Sequence, residues 1–254
     1  MTKRIEAWKS LLDPLAEKFE SPQFIEFAPI QIPRQFERKE DIEIAGFLAA
    51  SIAWGNRKSI ISNAQRMMSL MDHAPHDFIL DFGKADEKRF SEFVHRTFNS
   101  VDLVFFLRAL KHIYKNHGGM ESAFQADFDG VDIRSAIMGF RARFFELKHD
   151  VRTQKHVSNP LSGSAAKRLN MYLRWMVRSN LRGVDLGLWQ SIPTSALSIP
   201  LDVHSGRVAR QLGMLKRQQD DWKAVAELDS VLRKMDPKDP VKYDFALFGS
   251  AVMD

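Results

Sequence analysis

The 254-residue sequence contains no cysteine. This absence excludes disulfide bonds, thiolate zinc sites, iron–sulfur clusters and a cysteine nucleophile, and it fits a reducing compartment. The sequence also lacks a run of about 18 apolar residues, the length that a membrane-spanning helix needs. Its first residues, MTKRIEAWKSLLDPLAEKF, are amphipathic and lack the apolar stretch of a signal peptide. We therefore expect a cytoplasmic protein.

Positive charge is unevenly spread along the chain. The whole sequence has a formal net charge of +5, whereas residues 151–217 carry eleven Lys or Arg and only two Asp, a net charge of +9. A basic segment of this kind indicates a polyanionic partner, most often nucleic acid. A solvated charged surface without a partner explains the same charge equally well, so composition leaves both interpretations open.

Helical periodicity dominates the sequence. In DIEIAGFLAASIAW, residues 41–54, apolar side chains recur at helical spacing, and no long alternating β-type run is present in the chain. The same spacing predicts further helices over residues 57–71, 102–114, 132–147, 165–178, 203–212 and 222–235. We therefore predict an all-α protein with two helical lobes and a cleft between them.

Breaks in the helical pattern predict the domain organisation. Residues 1–40 are predicted to form an N-terminal helical segment that packs on the C-terminal lobe. Residues 41–150 are predicted to form one helical lobe, and residues 151–254 the other. No internal repeat and no low-complexity segment interrupts this organisation.

A basic helix follows a short turn in SGSAAKRLNMYLRWMVR, residues 162–178. Its apolar side chains fall on one face, whereas Lys167, Arg174 and Arg178 fall on another, so the pattern predicts a basic surface beside Lys167. The turn Ser162–Ser164 ahead of a helix N-terminus is typical of a phosphate-binding site. A lysine at this place can act as an amine nucleophile. From these residues alone, an ordinary surface or phosphate-contacting lysine is favoured.

A single carboxylate opens the next basic helix, in IPLDVHSGRVARQLG, residues 199–213. Asp202 is predicted to be the N-cap of the helix over residues 203–212. The flanking side chains of Leu201 and Val203 are apolar, and we expect them to surround the carboxylate. A carboxylate held by cap hydrogen bonds stays ionised in such a place. It can stabilise a developing cation or take a proton from a nucleophile.

Together these two segments resemble the catalytic half of the helix-hairpin-helix DNA glycosylases, the superfamily of endonuclease III. In that superfamily a hairpin of the form L-P-G-V-G-x-K-T-A precedes a V-D-T-H turn. Here LSGSAAK, residues 161–167, is similar to the hairpin, and PLDVH, residues 200–204, is similar to the turn. The segment YDFALFG, residues 243–249, resembles the closing helix of that fold, and AASIAWGNR, residues 49–57, is a weaker match.

The resemblance is closest to the archaeal 8-oxoguanine DNA glycosylases. These proteins also lack the iron–sulfur cluster and have a long separation between lysine and aspartate, which is 35 residues here. The pattern S-G-S-A-x-K-R-L-N-M is also similar to that of a bacterial family of uncharacterised proteins within the superfamily. The resemblance implies that residues 151–254 form a helix-hairpin-helix catalytic lobe, and that the protein is associated with the bacterial nucleoid.

The activity that the resemblance implies is that of a bifunctional DNA glycosylase and AP lyase, which extrudes a damaged base and excises it. The implied base is 8-oxoguanine, and the implied partner is damaged double-stranded DNA. Lys167 is implied to be the nucleophile that forms a Schiff base, and Asp202 the catalytic aspartate. The implied DNA contacts are Ser162, Gly163, Ser164, Arg168, Arg174, His204, Arg207 and Arg210. The implied base-stacking side chains are Trp54, Trp175 and Trp189.

The resemblance also bears on cofactors. It implies no iron–sulfur cofactor and no metal ligands, and the one ion it implies is a monovalent cation bound by hairpin carbonyls. This sequence departs from the family pattern in three places. Ser162 stands where the hairpin has proline, Ala165 stands where it has a second glycine, and the family's glutamine is absent from residues 49–57. The first two departures alter the backbone that would bind phosphate.

Three other functions remain open at this point. A non-catalytic helix-hairpin-helix protein would bind DNA or RNA backbone in a salt-sensitive way without forming a Schiff base. Metal-dependent hydrolysis could use Asp202 and His204 as two ligands, although the remaining histidines are scattered and none has the spacing of a known metal motif. A purely structural helical protein would leave the basic segment unexplained.

Overall fold

The computed structural model describes residues 2–25 and 28–253, and this part of the chain confirms the all-α class. Its two β-strands, β1 (Val94–His95) and β2 (Phe98–Asn99), form a hairpin and are too short for periodicity to predict. No helix in these residues has the length and apolar character needed to cross a membrane. The α-helices are α1 (Thr2–Phe19), α2 (Lys39–Ser51), α3 (Arg57–Leu70), α4 (Pro75–Asp81), α5 (Ser100–Asn116), α6 (Met120–Gln125), α7 (Ile133–Phe144), α8 (Lys167–Val177), α9 (Val203–Gln211), α10 (Trp222–Met235) and α11 (Tyr243–Met253).

All seven helices predicted from periodicity are present, with ends that differ by at most three residues. Side-chain caps define several of their N-termini. Asn56 accepts a hydrogen bond from Ser59 N ahead of α3, Asp221 accepts one from Ala224 N ahead of α10, and Asn99 forms a capping box ahead of α5. These caps satisfy backbone N–H groups that have no partner inside the helix, and they explain why the helices begin at these residues.

Two compact units divide the chain, and each combines segments that are distant in sequence. Unit 1 comprises Met1–Glu26, Gly130–Arg134 and Asn159–Asp254, and unit 2 comprises Phe27–Asp129 and Ser135–Ser158. The boundaries therefore differ from the three continuous ranges predicted from the sequence. A break in helical pattern marks the end of an element, whereas a unit is defined by packing between elements, which a linear pattern does not contain.

Unit 1 packs α1 against α11 and α10, and α11 against α9. Hydrogen bonds fix α1 along this unit: Trp8 Nε1 donates to Leu212 O at 3.1 Å, and the Tyr243 hydroxyl donates to Asp13 Oδ1 at 2.8 Å. Buried apolar side chains fill the space between these helices, and they include Leu12, Ala16, Leu201, Ala209, Leu228, Leu232, Tyr243 and Leu247. This core supports α9, whose first turn follows Asp202.

Unit 2 is built around phenylalanine. Phe47 of α2, Phe106 of α5 and Phe144 of α7 are fully buried, and their rings lie 4.9–5.8 Å apart between centroids. Phe140 of α7 stacks on Phe124 of α6 at 4.0 Å. Aromatic contacts of this kind bury large apolar areas, so α2, α5, α6 and α7 share one core.

Candidate active site

Lys167 and Asp202 contact each other directly in unit 1. Lys167 Nζ donates a hydrogen bond to Asp202 Oδ2 at 2.7 Å, and the same atoms form an ion pair. The Lys167 side chain is 38% exposed, whereas the Asp202 side chain is 11% exposed. The amine is therefore open to solvent on one side while the carboxylate that holds it is mostly covered by protein.

The backbone before α8 places Lys167 at the very start of that helix. Ala166 adopts a left-handed conformation with φ of 49°, and it is 1% exposed. The Asn170 side chain donates to Ala165 O at 3.1 Å, which fixes the same turn from the next helical turn. The predicted helix over residues 165–178 therefore begins two residues later, because a left-handed residue cannot continue a right-handed helix. Lys167 is its first residue.

Asp202 divides its two carboxylate oxygens between two tasks. Oδ1 accepts hydrogen bonds from His204 N and Ser205 N, both at 2.9 Å, while Oδ2 accepts from Lys167. In return, Ser205 Oγ accepts a hydrogen bond from Asp202 N at 3.1 Å, which completes a capping box. The prediction that Asp202 is the N-cap of α9 is thus confirmed. The cap orients the carboxylate so that its second oxygen faces the amine.

The protonation state of Asp202 follows from opposing effects. Burial of Asp202 disfavours its charged form, but the positive charge and hydrogen bond of Lys167, together with hydrogen bonds from Ser205, outweigh burial and hold the pKa of Asp202 below its ordinary value. Asp202 is therefore a carboxylate at neutral pH. The prediction that Leu201 and Val203 both surround the carboxylate is not supported for Val203, because Val203 is 72% exposed whereas Leu201 is buried.

A buried aspartate on α10 holds the loop that delivers Asp202. Asp229 Oδ1 accepts a hydrogen bond from Ile199 N at 3.0 Å, and Arg233 donates to Ser195 O at 3.2 Å and to Leu197 O at 2.9 Å. Burial raises the pKa of Asp229 to about 6, although Arg233 and the Ile199 amide oppose this shift. These contacts fix the backbone three residues ahead of Asp202. Asp229 was not predicted as a site residue from the sequence. Its place on the buried face of a helical pattern was the signal that could have identified it.

A second set of charged side chains is buried against α8, and the basic surface predicted for this helix is therefore wrong. Arg174 and Arg178 are 7% and 6% exposed rather than solvated. Arg174 pairs with Asp185 and Asp244, and Arg178 pairs with Glu20, Asp185 and Asp239. Asp244 lies in α11, Glu20 directly follows α1, and the other two acids lie outside the α-helices. Arg174 is thus a buried ion-pair residue, and its predicted role as a DNA contact is wrong.

Asp244 links this buried network to the Lys167–Asp202 pair. It accepts a hydrogen bond from Arg174, and burial raises its pKa to about 6. The charges of Arg174 and Lys167 oppose that rise, and the charge of Asp202 adds to it. The charges of both members of the pair therefore affect the pKa of Asp244. The resemblance to the closing helix includes Asp244 within YDFALFG but implies no role for this carboxylate.

The basic segment as a whole is largely neutralised inside the protein. At least seven of its eleven cations form ion pairs with carboxylates: Arg152, Lys167, Arg174, Arg178, Arg182, Arg210 and Arg217. Most of the partner acids lie outside residues 151–217, so they did not enter the local charge of +9. The charge argument for a polyanionic partner is weaker in the folded chain than in the sequence.

The hairpin ahead of α8 differs from the predicted phosphate cradle. The amides of Ser162 and Gly163 donate to Asn159 O and Pro160 O, and the amide of Ser164 also donates to Asn159 O. These three amides are engaged inside the hairpin, so the predicted phosphate contacts through them are not supported. Gly163 O and Asn159 O accept hydrogen bonds from protein donors. The predicted monovalent cation at the hairpin stays a prediction.

The other predicted DNA contacts divide into exposed and covered side chains. His204 and Arg207 are exposed on α9, and the His204 ring lies 6.0 Å from that of Phe248. Arg210 is half-buried and pairs with Asp220. Arg168 is partly covered, and burial lowers its pKa to about 10, which leaves it charged at neutral pH. His204 and Arg207 are the two predicted contacts best placed to meet a ligand.

Two of the three predicted base-stacking tryptophans are packing residues in unit 1. Trp175 and Trp189 are 2% and 1% exposed, and the Trp189 ring packs edge-on against Tyr172 at 5.6 Å. Neither can stack on a base. Trp54 is half-buried in unit 2, where its ring stacks on His156 at 5.9 Å. A cavity of about 260 Å³ in unit 1 is lined by Glu20, Arg178, Ser179, Leu181, Arg182, Thr194, Lys238 and Asp239, none of which belongs to the Lys167–Asp202 pair.

The chain belongs to the family described as "Protein of unknown function (DUF2400)", whose model matches residues 28–253. That match includes both Lys167 and Asp202. No curated protein gives a significant match to the chain, and no solved structure does either. The assignment to the helix-hairpin-helix DNA glycosylases, closest to the archaeal 8-oxoguanine enzymes, is contradicted by this result. Short motifs of five to nine residues carried that assignment, whereas the family match covers residues 28–253.

Proposed function

We propose that the protein is a DNA base-excision enzyme with AP lyase activity, in which Lys167 is the amine nucleophile. One observation carries the proposal: a partly exposed lysine amine lies 2.7 Å from a carboxylate that the α9 cap holds in a fixed orientation. A nucleophile with an adjacent base that a third contact orients is the arrangement that amine catalysis needs. On the same helix that Asp202 caps, exposed Arg207 supplies a cationic side chain and exposed His204 a polar ring for contacts to a phosphate backbone.

The chemistry follows from the contact between the two side chains. Attack needs a neutral amine, so one proton passes from Lys167 Nζ to Asp202 Oδ2 as Nζ bonds to C1′ of the sugar. The C1′–N bond to the base breaks, and the base leaves with the bonding electron pair and takes up a proton. The base takes this proton from Asp202 Oδ2, so the carboxylate is ionised again and stabilises the positive charge that develops on the sugar. The sugar ring then opens to a Schiff base, and loss of a C2′ proton expels the 3′ phosphate, which cuts the strand.

Borohydride trapping on duplexes that carry an abasic site or a damaged base, 8-oxoguanine among them, tests this proposal. Wild-type protein should form a covalent adduct after reduction. Lys167→Arg keeps the positive charge but cannot form a Schiff base, so it should form no adduct. The matched control is Lys223→Ala, because Lys223 is an exposed lysine in the first turn of the neighbouring helix α10. An adduct of wild-type yield in Lys167→Arg would contradict the proposal.

A second function is favoured by a specific observation. The hydrogen bond from Lys167 Nζ to Asp202 Oδ2 helps to lower the pKa of Asp202, and it holds Lys167 beside the helix cap as an ion-pair partner. A resting ion pair of this kind suits a non-catalytic protein that binds DNA or RNA backbone. In that case salt-sensitive binding persists, no duplex in the panel yields an adduct, and Lys167→Arg binds as tightly as wild type.

A further inference from the structure

Three side chains of types that can bind a metal meet in unit 2, whereas the Lys167–Asp202 pair belongs to unit 1. His112 lies in the last turns of α5, His117 is the C-cap residue of the same helix, and Glu146 follows the end of α7. Their ligand atoms all lie within 4.8 Å of one another. The sequence showed these histidines only as scattered residues, because the third partner is 29 residues beyond the second.

Both imidazoles point at one carboxylate oxygen. His112 Nε2 lies 2.6 Å from Glu146 Oε2, and His117 Nε2 lies 3.0 Å from the same atom. The two rings are 5.1 Å apart between centroids and are inclined at 72°. Two Nε2 atoms that converge on a carboxylate from different directions outline a small coordination site with three protein donors.

Contacts next to His117 and next to Glu146 keep these side chains close together. His117 N donates to Ile113 O at 2.9 Å, and Gly118 and Gly119 then turn the chain with φ of 71° and 93°. Next to Glu146, the ring of Phe145 stacks on Phe105 of α5 at 5.6 Å, almost parallel. The carboxylate is therefore carried on a segment that packs directly on the helix that carries His112.

Exposure and ligand type point to a transition metal. The side chains of His112 and His117 are each 21% exposed, and that of Glu146 is 44% exposed, so an ion and water can reach the site. Imidazole nitrogens and carboxylate oxygens are ligands of zinc and neighbouring divalent metals. Three protein ligands with an open side leave one tetrahedral position for water.

We propose that His112, His117 and Glu146 bind one divalent transition-metal ion, for which Zn²⁺ is the expected occupant. The ion would replace the two contacts to Glu146 Oε2 and join the end of α5 to the end of α7. Asn116 Nδ2 lies 2.9 Å from His112 Nδ1. When a metal takes Nε2, the proton moves to Nδ1, and the Asn116 amide turns its oxygen toward it. Metal-bound histidines commonly have such a partner on their other nitrogen.

The alternative is a cluster held by hydrogen bonds alone, in which both Nε2–H groups donate to Glu146. Titration of untagged, chelator-treated full-length protein with Zn²⁺ by calorimetry separates the two. We expect one Zn²⁺ per chain and a melting temperature that rises with zinc concentration. His112→Ala and Glu146→Gln should each weaken binding by more than about tenfold, because even loss of an outer hydrogen-bond partner costs roughly that much.

The matched control is His73→Ala, which removes an exposed histidine of unit 2 that lies outside the cluster. It should bind Zn²⁺ as wild type does. Circular dichroism of each chelator-treated variant reports whether it folds, and Glu146→Gln, which nearly preserves side-chain shape, covers the case in which His112→Ala does not. Wild-type protein that binds less than one Zn²⁺, or a Glu146→Gln variant with wild-type affinity and stoichiometry, would overturn the proposal.

Discussion

Lys167 at the first position of α8 and Asp202 at the N-cap of α9 share a hydrogen bond of 2.7 Å, although 35 residues separate them along the chain. The contact joins the starts of two helices. Each start has an electropositive backbone end, which favours Asp202 and disfavours Lys167. The carboxylate therefore offsets an unfavourable place for the lysine, and removal of either side chain should have effects on stability as well as on chemistry.

The cap role of Asp202 can be separated from its charge. Asp202→Asn keeps an oxygen that can accept from His204 N and Ser205 N, whereas Asp202→Ala loses the cap. We expect Asp202→Ala to lower the free energy of unfolding by about 1–2 kcal/mol, and Asp202→Asn to lower it by less. Urea denaturation of the two variants and wild type measures this. Equal losses in both variants would mean that the cap contributes little.

The same Asp202→Asn variant tests the carboxylate in the proposed chemistry. It should lose base release on the damaged duplexes while it retains DNA binding, because the amide neither accepts the lysine proton nor stabilises positive charge on the sugar. Single-turnover assays and a binding titration measure the two properties. Base release at the wild-type rate would leave Asp202 with a capping role alone.

Asp229 should give the protein a distinctive pH dependence. Its pKa is raised from 3.8 to about 6, so between about pH 4 and 6 the folded state holds a proton that the unfolded state has lost. The free energy of unfolding should therefore fall as pH rises through this window. Asp229→Asn keeps the acceptor for Ile199 N but does not titrate. Between pH 4 and 7, the free energy of unfolding of Asp229→Asn should rise by up to about 3 kcal/mol relative to that of wild type.

Urea denaturation of both proteins at several pH values measures that difference, and titrations shared by both proteins cancel. Asp81→Asn, which removes an exposed carboxylate in unit 2, controls for the loss of one charge. A constant difference between Asp229→Asn and wild type from pH 4 to 7 would show that Asp229 does not titrate in this window.

Arg178 should be one of the most sensitive positions in unit 1. It is buried and donates to Glu20, Asp185 and Asp239, and despite the opposing effect of burial these partners raise its pKa. Arg178→Met leaves buried carboxylates without their cation, so we expect a loss of about 3–5 kcal/mol in the free energy of unfolding. Arg89→Met, which breaks an exposed pair with Asp72, is the control and should have a much smaller effect. Similar thermal shifts in the two variants would argue against this difference.

Close packing of α11 on α1 depends on Gly249. A Cβ at this position would overlap the ring of Phe19, whereas a Cβ at Gly83 would meet nothing closer than 3.8 Å. Gly249→Ala should therefore lower the free energy of unfolding by about 1–3 kcal/mol. Gly83→Ala serves as the control with ordinary contacts. A Gly249→Ala variant as stable as wild type would mean that the two helices can separate without cost.

Much of the secondary structure could be read from the sequence alone. The helical spacing of apolar residues determines α2, α3, α5, α7, α8, α9 and α10, because that spacing leaves one face to bury. Asp202 as an N-cap was predictable for the same local reason: the group that it satisfies is two and three residues away. The division into units was not predictable, since residues 130–134 join a unit whose other members lie far away in sequence.

In the candidate site, tertiary packing decides which charged side chains are buried and which ones contact each other, and the local sequence pattern does not. Sequence spacing placed Arg174 and Arg178 on a face apart from the apolar stripe of α8, but whether that face meets water depends on what packs over it. Glu20, which directly follows α1, and Asp244 of α11 pair with these arginines and turn an apparent basic surface into buried ion pairs. The meeting of Lys167 with Asp202, and of two histidines with Glu146, depends in the same way on packing. Ion pairs and hydrogen bonds act over a few ångströms of space. The distance between two residues along the chain does not tell whether their side chains lie that close in the folded protein.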